Sequence, residues 1–127
     1  MSTSILAQTA LHLYGGKNHD VYLGCLNSDK FDANSIWNEY TYGSKYNQNS
    51  IWNDSGIYGS KFSTYCPWDP SSNYPPVVLD KERRFYGYFT VNKYQDERAE
   101  FQLALTIYEF HDLMRDNVGK WYSKLFK

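Results

Sequence analysis

The chain has almost no surplus of charge: 13 basic side chains face 14 acidic ones, a formal net of -1. That balance gives no global attraction to a phosphate backbone or an anionic lipid surface. It holds locally as well. Residues 28–76 carry Lys30, Lys45 and Lys61 against Asp29, Asp32, Glu39, Asp54 and Asp69, and residues 77–127 carry nine basic and eight acidic side chains. Cysteine is scarce. Cys25 and Cys66 are too few for a disulfide framework, which leaves one bridge or two buried thiols. No window reaches about 18 successive apolar residues, so no membrane-spanning helix is expected. The opening MSTSILAQTALHL lacks a basic start and is broken by Gln8 and Thr9, a poor secretory leader. A cytoplasmic location is the default expectation, with secretion after loss of a leader as the alternative.

The usual signatures of chemistry are also missing. His12, His19 and His111 fall in separate elements with no zinc-ligand spacing. Asp32-Ala33-Asn34 looks like the start of an acidic calcium loop, but the glycine and distal glutamate that such a loop needs do not follow. An Asx-turn is the plainer reading there. Cys25 could act as a nucleophile with His12 or His19 opposite it, yet it alternates with leucines on a strand and reads as a buried thiol. Tyr-Gly-Ser-Lys is not a phosphate loop, and no nucleophile elbow or dinucleotide fingerprint occurs. No catalytic residues, metal or cofactor are therefore expected. Interleaved aromatics could stack single-stranded bases, but that mode wants a basic groove. The aromatic segment is slightly acidic, and Lys81, Arg83 and Arg84 are offset by Asp80 and Glu82. Nucleic acid is not an expected partner.

What the chain does have is aromatic content, 19% of residues, with 13 Tyr and 4 Trp. With few aliphatic residues, the core must be built largely from rings with polar handles. Tyr, Ser, Asn and Gly dominate the middle of the chain, a composition also found in antibody-type binding surfaces. The segment 28–76 is repetitive. DKFDANSIWN (29–38), SKYNQNSIWN (44–53) and SKFSTYCPWD (60–69) align in the frame Lys–aromatic–three residues–Ser/Cys–Ile/Pro–Trp–Asn/Asp. Pro67 in register with Ile36 and Ile51 suits the first position of a helical or type I turn, with Ser35 and Ser50 as caps. Gly43 and Gly59, in the linkers, are free to take positive φ and bend the chain back. The rings Trp37, Trp52, Trp68, Phe31, Tyr46 and Phe62 are expected to pin the excursion down. Their burial alone does not offset the entropy of ordering so long a segment, so it must pack on the rest of the chain or on a partner.

A second repeat spans the excursion. YLGCLNSDKF (22–31) aligns with FYGYFTVNKY (85–94), each preceded by a polar turn and an apolar run. Both read as β-hairpins with period-two alternation. After them, Leu103, Ile107, Phe110, Met114, Val118, Trp121 and Leu125 recur in steps of three and four, which predicts an amphipathic helix over about 96–126 with Asp96 as its N-cap and with an end or bend near Asn117–Gly119. The fold class expected is α+β in one domain, 1–127. It has a small antiparallel sheet from two similar hairpins, the repeat between them, and the C-terminal helix packed on the sheet.

The pattern Tyr-Leu-Gly-x-Leu, Lys-aromatic-Asp, Ser-Ile-x-Asn and Tyr-Gly-Ser-Lys-Tyr resembles a set of small, functionally uncharacterised bacterial proteins with tandem copies of S-I-x-N-x-Y-G-x-Y-G-S. The resemblance covers about 22–94. Asn38–Ser44 lacks the first linker glycine, Ser55 replaces a tyrosine, and Cys66-Pro67 replaces Ser-Ile. The resemblance implies architecture and no chemistry. The function expected is a non-catalytic module that binds another protein, an inhibitor included, through the repeat surface. The candidate binding residues are Lys30, Lys45, Lys61, Tyr42, Tyr46, Tyr58, Trp37, Trp52 and Trp68. The lysines recur in register, with Lys93 at the equivalent place in the second hairpin, and could form a row reading an acidic partner. The alternatives are an aromatic pocket for a small polar molecule or sugar, and a small enzyme using Cys25 or a Lys/Asp pair.

Overall fold

The computed structural model describes residues 9–126. The opening residues read above for a leader lie mostly outside the described part. Four strands, β1 (His12–Gly15), β2 (Val21–Cys25), β3 (Val77–Leu79) and β4 (Phe85–Tyr88), form an antiparallel sheet in the order β2-β1-β3-β4. Two helices follow, α1 (Gln102–Met114) and α2 (Val118–Leu125). The fold is α+β, as the hairpin and helix patterns predict. No helix among the described residues is long and apolar enough to cross a membrane.

The two hairpins match in detail. Gly24, Leu13, Val78 and Gly87 lie in one row across the sheet. Both glycines have positive φ, 112° and 122°, and each hairpin carries a register shift. Each outer strand is then closed by a later segment running parallel to it. Ile36 donates its N–H to the Cys25 carbonyl at 3.0 Å, and Ala99 donates to the Tyr88 carbonyl at 2.8 Å. Each edge strand is thus paired at its last residue, which shortens the free edge open to association. The β3–β4 turn is clamped by Asp80, a buried carboxylate. It accepts from Glu82 N, Arg84 N and Nε (2.7 Å), and Tyr86 Oη (3.0 Å). Burial raises its pKa, but the hydrogen bonds from Arg84 and Tyr86 outweigh that and pull it down to about 2.

The excursion is a continuous ladder of turns three residues long. Backbone N–H groups of Asp32, Ser35, Asn38, Thr41 and Ser44 each donate to the carbonyl three residues before, and Ser50, Asn53 and Gly56 do the same in the second copy. The first residue of most steps also accepts the N–H two residues on. Asp29, Asp32, Ser35, Asn38, Ser44, Asn47, Ser50, Asn53, Ser60, Ser63 and Asp69 all do so. Short polar side chains favour this geometry because they satisfy a backbone donor locally. At Gly56 the step lengthens by one residue, with Ser60 N bonding Gly56 O, and the frame resumes. Ser35 and Ser50 act as the expected caps, their Oγ atoms accepting from Trp37 and Trp52 N at 3.0 Å. Replacing the buried Ser50 with alanine should cost about 1 kcal/mol of stability, measured by urea unfolding, because the Trp52 N–H loses its acceptor. A neutral result would show that the hydroxyl is dispensable to the turn.

Gly43 and Gly59 are not at positive φ; that conformation among glycines belongs to Gly16, Gly24 and Gly87. They are needed for a different reason. A Cβ at Gly43 would lie 2.6 Å from Asn38 O, and one at Gly59 would meet the Asn53 backbone. The linkers therefore require glycine for close backbone approach rather than for handedness.

The copies are joined through their tryptophans. Trp37 Nε1–H donates to Leu26 O at 2.7 Å, Trp52 to Ile36 O at 2.8 Å and Trp68 to Ile51 O at 2.8 Å. Each indole thus caps the carbonyl of the residue before the preceding indole, or its counterpart Leu26. Ring centroids are 5.9 Å apart for Trp37 and Trp52 and 5.8 Å for Trp52 and Trp68. The helices close over this indole row. Tyr122 and Phe126 meet Trp37, and His111 stacks on Trp68 at 4.2 Å and 10°. Tyr108 reaches Phe89 just beyond β4.

The helical stretch differs at its start from the helix expected over 96–126. Residues 96–101 are not helical, because Glu97 O and Ala99 N satisfy the backbone of Tyr88 at the sheet edge. Glu97 takes φ 56°, and α1 starts only at Gln102, so Asp96 is not its N-cap. A break at 115–117 separates α1 from α2, with Asn117 at φ -149°.

Candidate functional site

The structure divides the predicted binding residues into two groups. Trp37, Trp52 and Trp68 are 1%, 0% and 5% exposed, and their N–H groups are committed to carbonyls of neighbouring turns. They are core staples rather than exposed contact rings, and of the three only Trp37 borders one of the hollows described below. Tyr58 is buried, packed where a Cβ at Gly15 would touch its ring, and burial pushes its phenol pKa up. Tyr42 is half-buried, edge-on to Tyr22 at 5.3 Å. Both tyrosines hold the ladder to the sheet. Of the predicted rings, only Tyr46 stands in solvent, 87% exposed.

The lysines lean on the helical arm in reverse chain order. Lys30 Nζ donates to Ser123 Oγ at 3.2 Å, and Lys45 pairs with Asp116 at 3.0 Å. Lys61, exposed, is close enough to His111 to act on its charge. The hydrogen bond from Asp116 raises the Lys45 pKa. Lys30 and Lys45 are therefore partly occupied within the chain rather than forming a free ammonium row.

The rings that follow the in-register lysines make up the outward face, and of these only Tyr46 was among the expected binding residues. Phe31, Tyr46, Phe62 and Tyr94 are 82%, 87%, 92% and 92% exposed. Expected to help pin the excursion, Phe31, Tyr46 and Phe62 instead point away from the core. Each ends the same kind of turn, its own N–H bonded to the polar side chain two residues earlier: Asp29, Ser44, Ser60 or Asn92. Six residues beyond each of the first three comes a buried indole, so the ladder turns one ring outward and the next inward. The recurrence of a polar residue at every third position marks the turns in the sequence, but it does not separate Phe31 from Trp37, which both follow a step residue by two. Tyr40, 95% exposed, joins the outward set.

A seam runs between these turns and the helical arm. Three hollows lie along it and share lining residues. One, about 340 Å³, is bordered by Lys30, Phe31, Asn38, Glu39, Tyr40 and Gly119. The next, about 220 Å³, lies between Glu39, Ser44, Lys45, Tyr46, Arg115 and Asp116. The third, about 340 Å³, continues past Lys45, Tyr46, Asp54, Ser55, Arg115 and Asp116. The break between α1 and α2 places Arg115 and Asp116 at this floor.

Reactive groups are closed off. Cys25 and Cys66 are unbridged and buried, and Cys25 Sγ donates to Asn27 Oδ1 at 3.3 Å. His12 sits opposite Cys25 in the β1–β2 register, but its Nδ1 engages Tyr22 Oη at 2.7 Å and burial lowers its pKa. Asp32 forms the Asx-turn, accepting from Asn34 N at 2.9 Å. Among the described residues no group of three or more His, Cys, Asp or Glu is arranged to hold a metal ion.

His111 is also perturbed. Burial against Trp68 lowers its pKa, and its Nδ1 has no hydrogen-bond partner among the described residues. A histidine held below its ordinary 6.5 contributes stability that is complete above that pH and is lost as pH falls through the window beneath it. His12 acts in the same direction. Unfolding free energy should therefore fall as pH drops below about 6.5, and His111→Gln should flatten that slope. An unchanged slope in the variant would place the titration elsewhere.

Comparison with protein-family models, with curated proteins and with solved structures finds no match to this chain.

Proposed function

We propose that the protein is a non-catalytic binding module that recognises its target through the outward Lys–aromatic turn tips, with Phe31, Tyr46, Phe62 and Tyr94 as contact rings. One observation carries this reading: the same two-residue step stands in solvent four times, its ring at least 82% exposed each time. A ring of about 150–250 Å² forgoes roughly 4–6 kcal/mol of burial at ~25 cal/mol/Å² when left in water. A fold that buries Trp37, Trp52 and Trp68 so fully does not leave four such rings outside for packing reasons. Rigid rings beside short polar side chains provide contact area with little entropy to lose, the chemistry of binding surfaces. The turns hold each ring's backbone in place before any target arrives, which lowers the cost of binding. Another protein, including an enzyme to be blocked, and a polar ligand such as a sugar both suit exposed rings; they differ in the charge they require beside them.

The test compares the wild-type chain with the triple variant Phe31→Ala/Tyr46→Ala/Phe62→Ala on one immobilised format, offered a lysate of the source organism and a glycan panel. The wild type should retain a ligand that the triple variant loses by at least about a hundredfold. Its thermal unfolding midpoint should stay close to wild type, because exposed substitutions shift stability by only about 0.5 kcal/mol each. Full retention of every ligand by the triple variant would end this reading.

A further inference from the structure

We propose that the seam between the turn ladder and the helical arm binds a neutral oligosaccharide chain, an inference that rests on the binding-module reading and names its ligand class. The first argument is charge. Lys30, Lys45 and Arg115 line the three hollows, and so do Glu39, Asp54 and Asp116. The two signs are equal in number and interleaved. Lys45 and Asp116 already pair at 3.0 Å, and Arg115 Nη1 reaches Asp112 at 3.4 Å. Such a surface offers no net attraction to a polyanion and none to a strongly basic or acidic peptide. It does offer donors and acceptors side by side, and a sugar hydroxyl is both at once.

The second argument is shape and ring placement. Phe31 and Tyr40 border the first hollow, and Tyr46 borders the next two. These rings are 82%, 95% and 87% exposed, and the Lys30 ammonium lies over the Phe31 ring 5.5 Å from its centroid, so ring surface and a hydroxyl-binding cation stand together for a pyranose. Successive hollows that share Glu39 and then Lys45, Tyr46, Arg115 and Asp116 suit a chain of several units better than one compact molecule. Short polar side chains, Asn38, Ser44 and Ser55, stand between the rings.

The experiment titrates the purified full chain by calorimetry with short neutral oligosaccharides of several linkages, with an oligouronate and a sulfated oligosaccharide, and with single-stranded oligonucleotide. At least one neutral oligosaccharide should bind, and salt should change its affinity little. Tyr46→Ala and Phe31→Ala should each weaken that binding by about tenfold or more with an unchanged unfolding midpoint. Leu113→Ala should not, since Leu113, 61% exposed on α1, lines none of the three hollows. Binding confined to the charged sugars or the oligonucleotide would overturn the inference, as would binding to no member of the set. If a protein captured from lysate depends on Phe31 and Tyr46 while no neutral oligosaccharide binds, the saccharide inference falls and the binding-module reading stands. If no ligand of any class depends on the rings, both fall.

Discussion

Replacing Trp52 with alanine is expected to lower the free energy of unfolding by about 3–5 kcal/mol, the range seen when a large core ring is removed. Trp52 is fully buried between Trp37 and Trp68, with centroids 5.9 Å and 5.8 Å away. Its removal opens a cavity in the middle of the indole row and leaves the Ile36 carbonyl without its 2.8 Å donor. The effect is large because the ring is fully buried and touches the indoles on both sides of it. Trp52 is the central link between the first and third copies, and a domain of this size holds only about 5–15 kcal/mol in total. Urea unfolding followed by far-ultraviolet circular dichroism measures the change. Trp52→Phe should fall between the two, because it keeps ring contact but loses the donor. A loss below about 1 kcal/mol for the alanine variant would mean that the indole row does not hold the excursion to the fold.

The second large effect concerns the matched glycines of the two hairpins. Gly87→Ala should cost about 3 kcal/mol or more, and Gly24→Ala somewhat less. Both positions have φ values that L residues rarely adopt, 122° and 112°. The difference lies in what a methyl group would strike. At Gly87 a Cβ would lie 2.6 Å from Ala99 N and 2.7 Å from its Cα, backbone atoms held by the bond from Ala99 to Tyr88 O. At Gly24 it would meet Ile36 Cγ2 and Tyr42 Cβ at 2.9 Å, side-chain atoms with more room to shift. Thermal unfolding of both variants checks the order. Equal costs would argue that backbone handedness alone decides, and losses under about 0.5 kcal/mol in both would contradict the strain argument.

Much of the fold was legible because the sequence repeats itself at two scales. The likeness of residues 22–31 to residues 85–94 reappears as matched glycines, matched register shifts and matched edge closures. Pro67 in register with Ile36 and Ile51 pointed to a capped turn, and Ser35 and Ser50 are its caps. The helix boundary was misread because Asp96 and Glu97 look like an N-terminus locally, while the free edge of β4 competes for the backbone there. Edge pairing won, and α1 starts at Gln102. The candidate site was read less well. Lys30, Lys45 and Tyr46 were identified, but the tryptophans were offered as surface, and Phe31 and Phe62 were taken for anchors.

The residue order alone settles which rings exist, which turns recur and where the hairpins begin, since those follow from local hydrogen bonding and period. Which ring faces water was decided by the tertiary structure. Phe31 and Trp37 lie six residues apart in similar three-residue turns, and only the placement of Leu26 O, Tyr122 and Phe126 around the indole makes one of them core. The seam is likewise a product of packing. Arg115 and Lys45 are remote in sequence, and they meet because the helical arm breaks where it crosses the ladder.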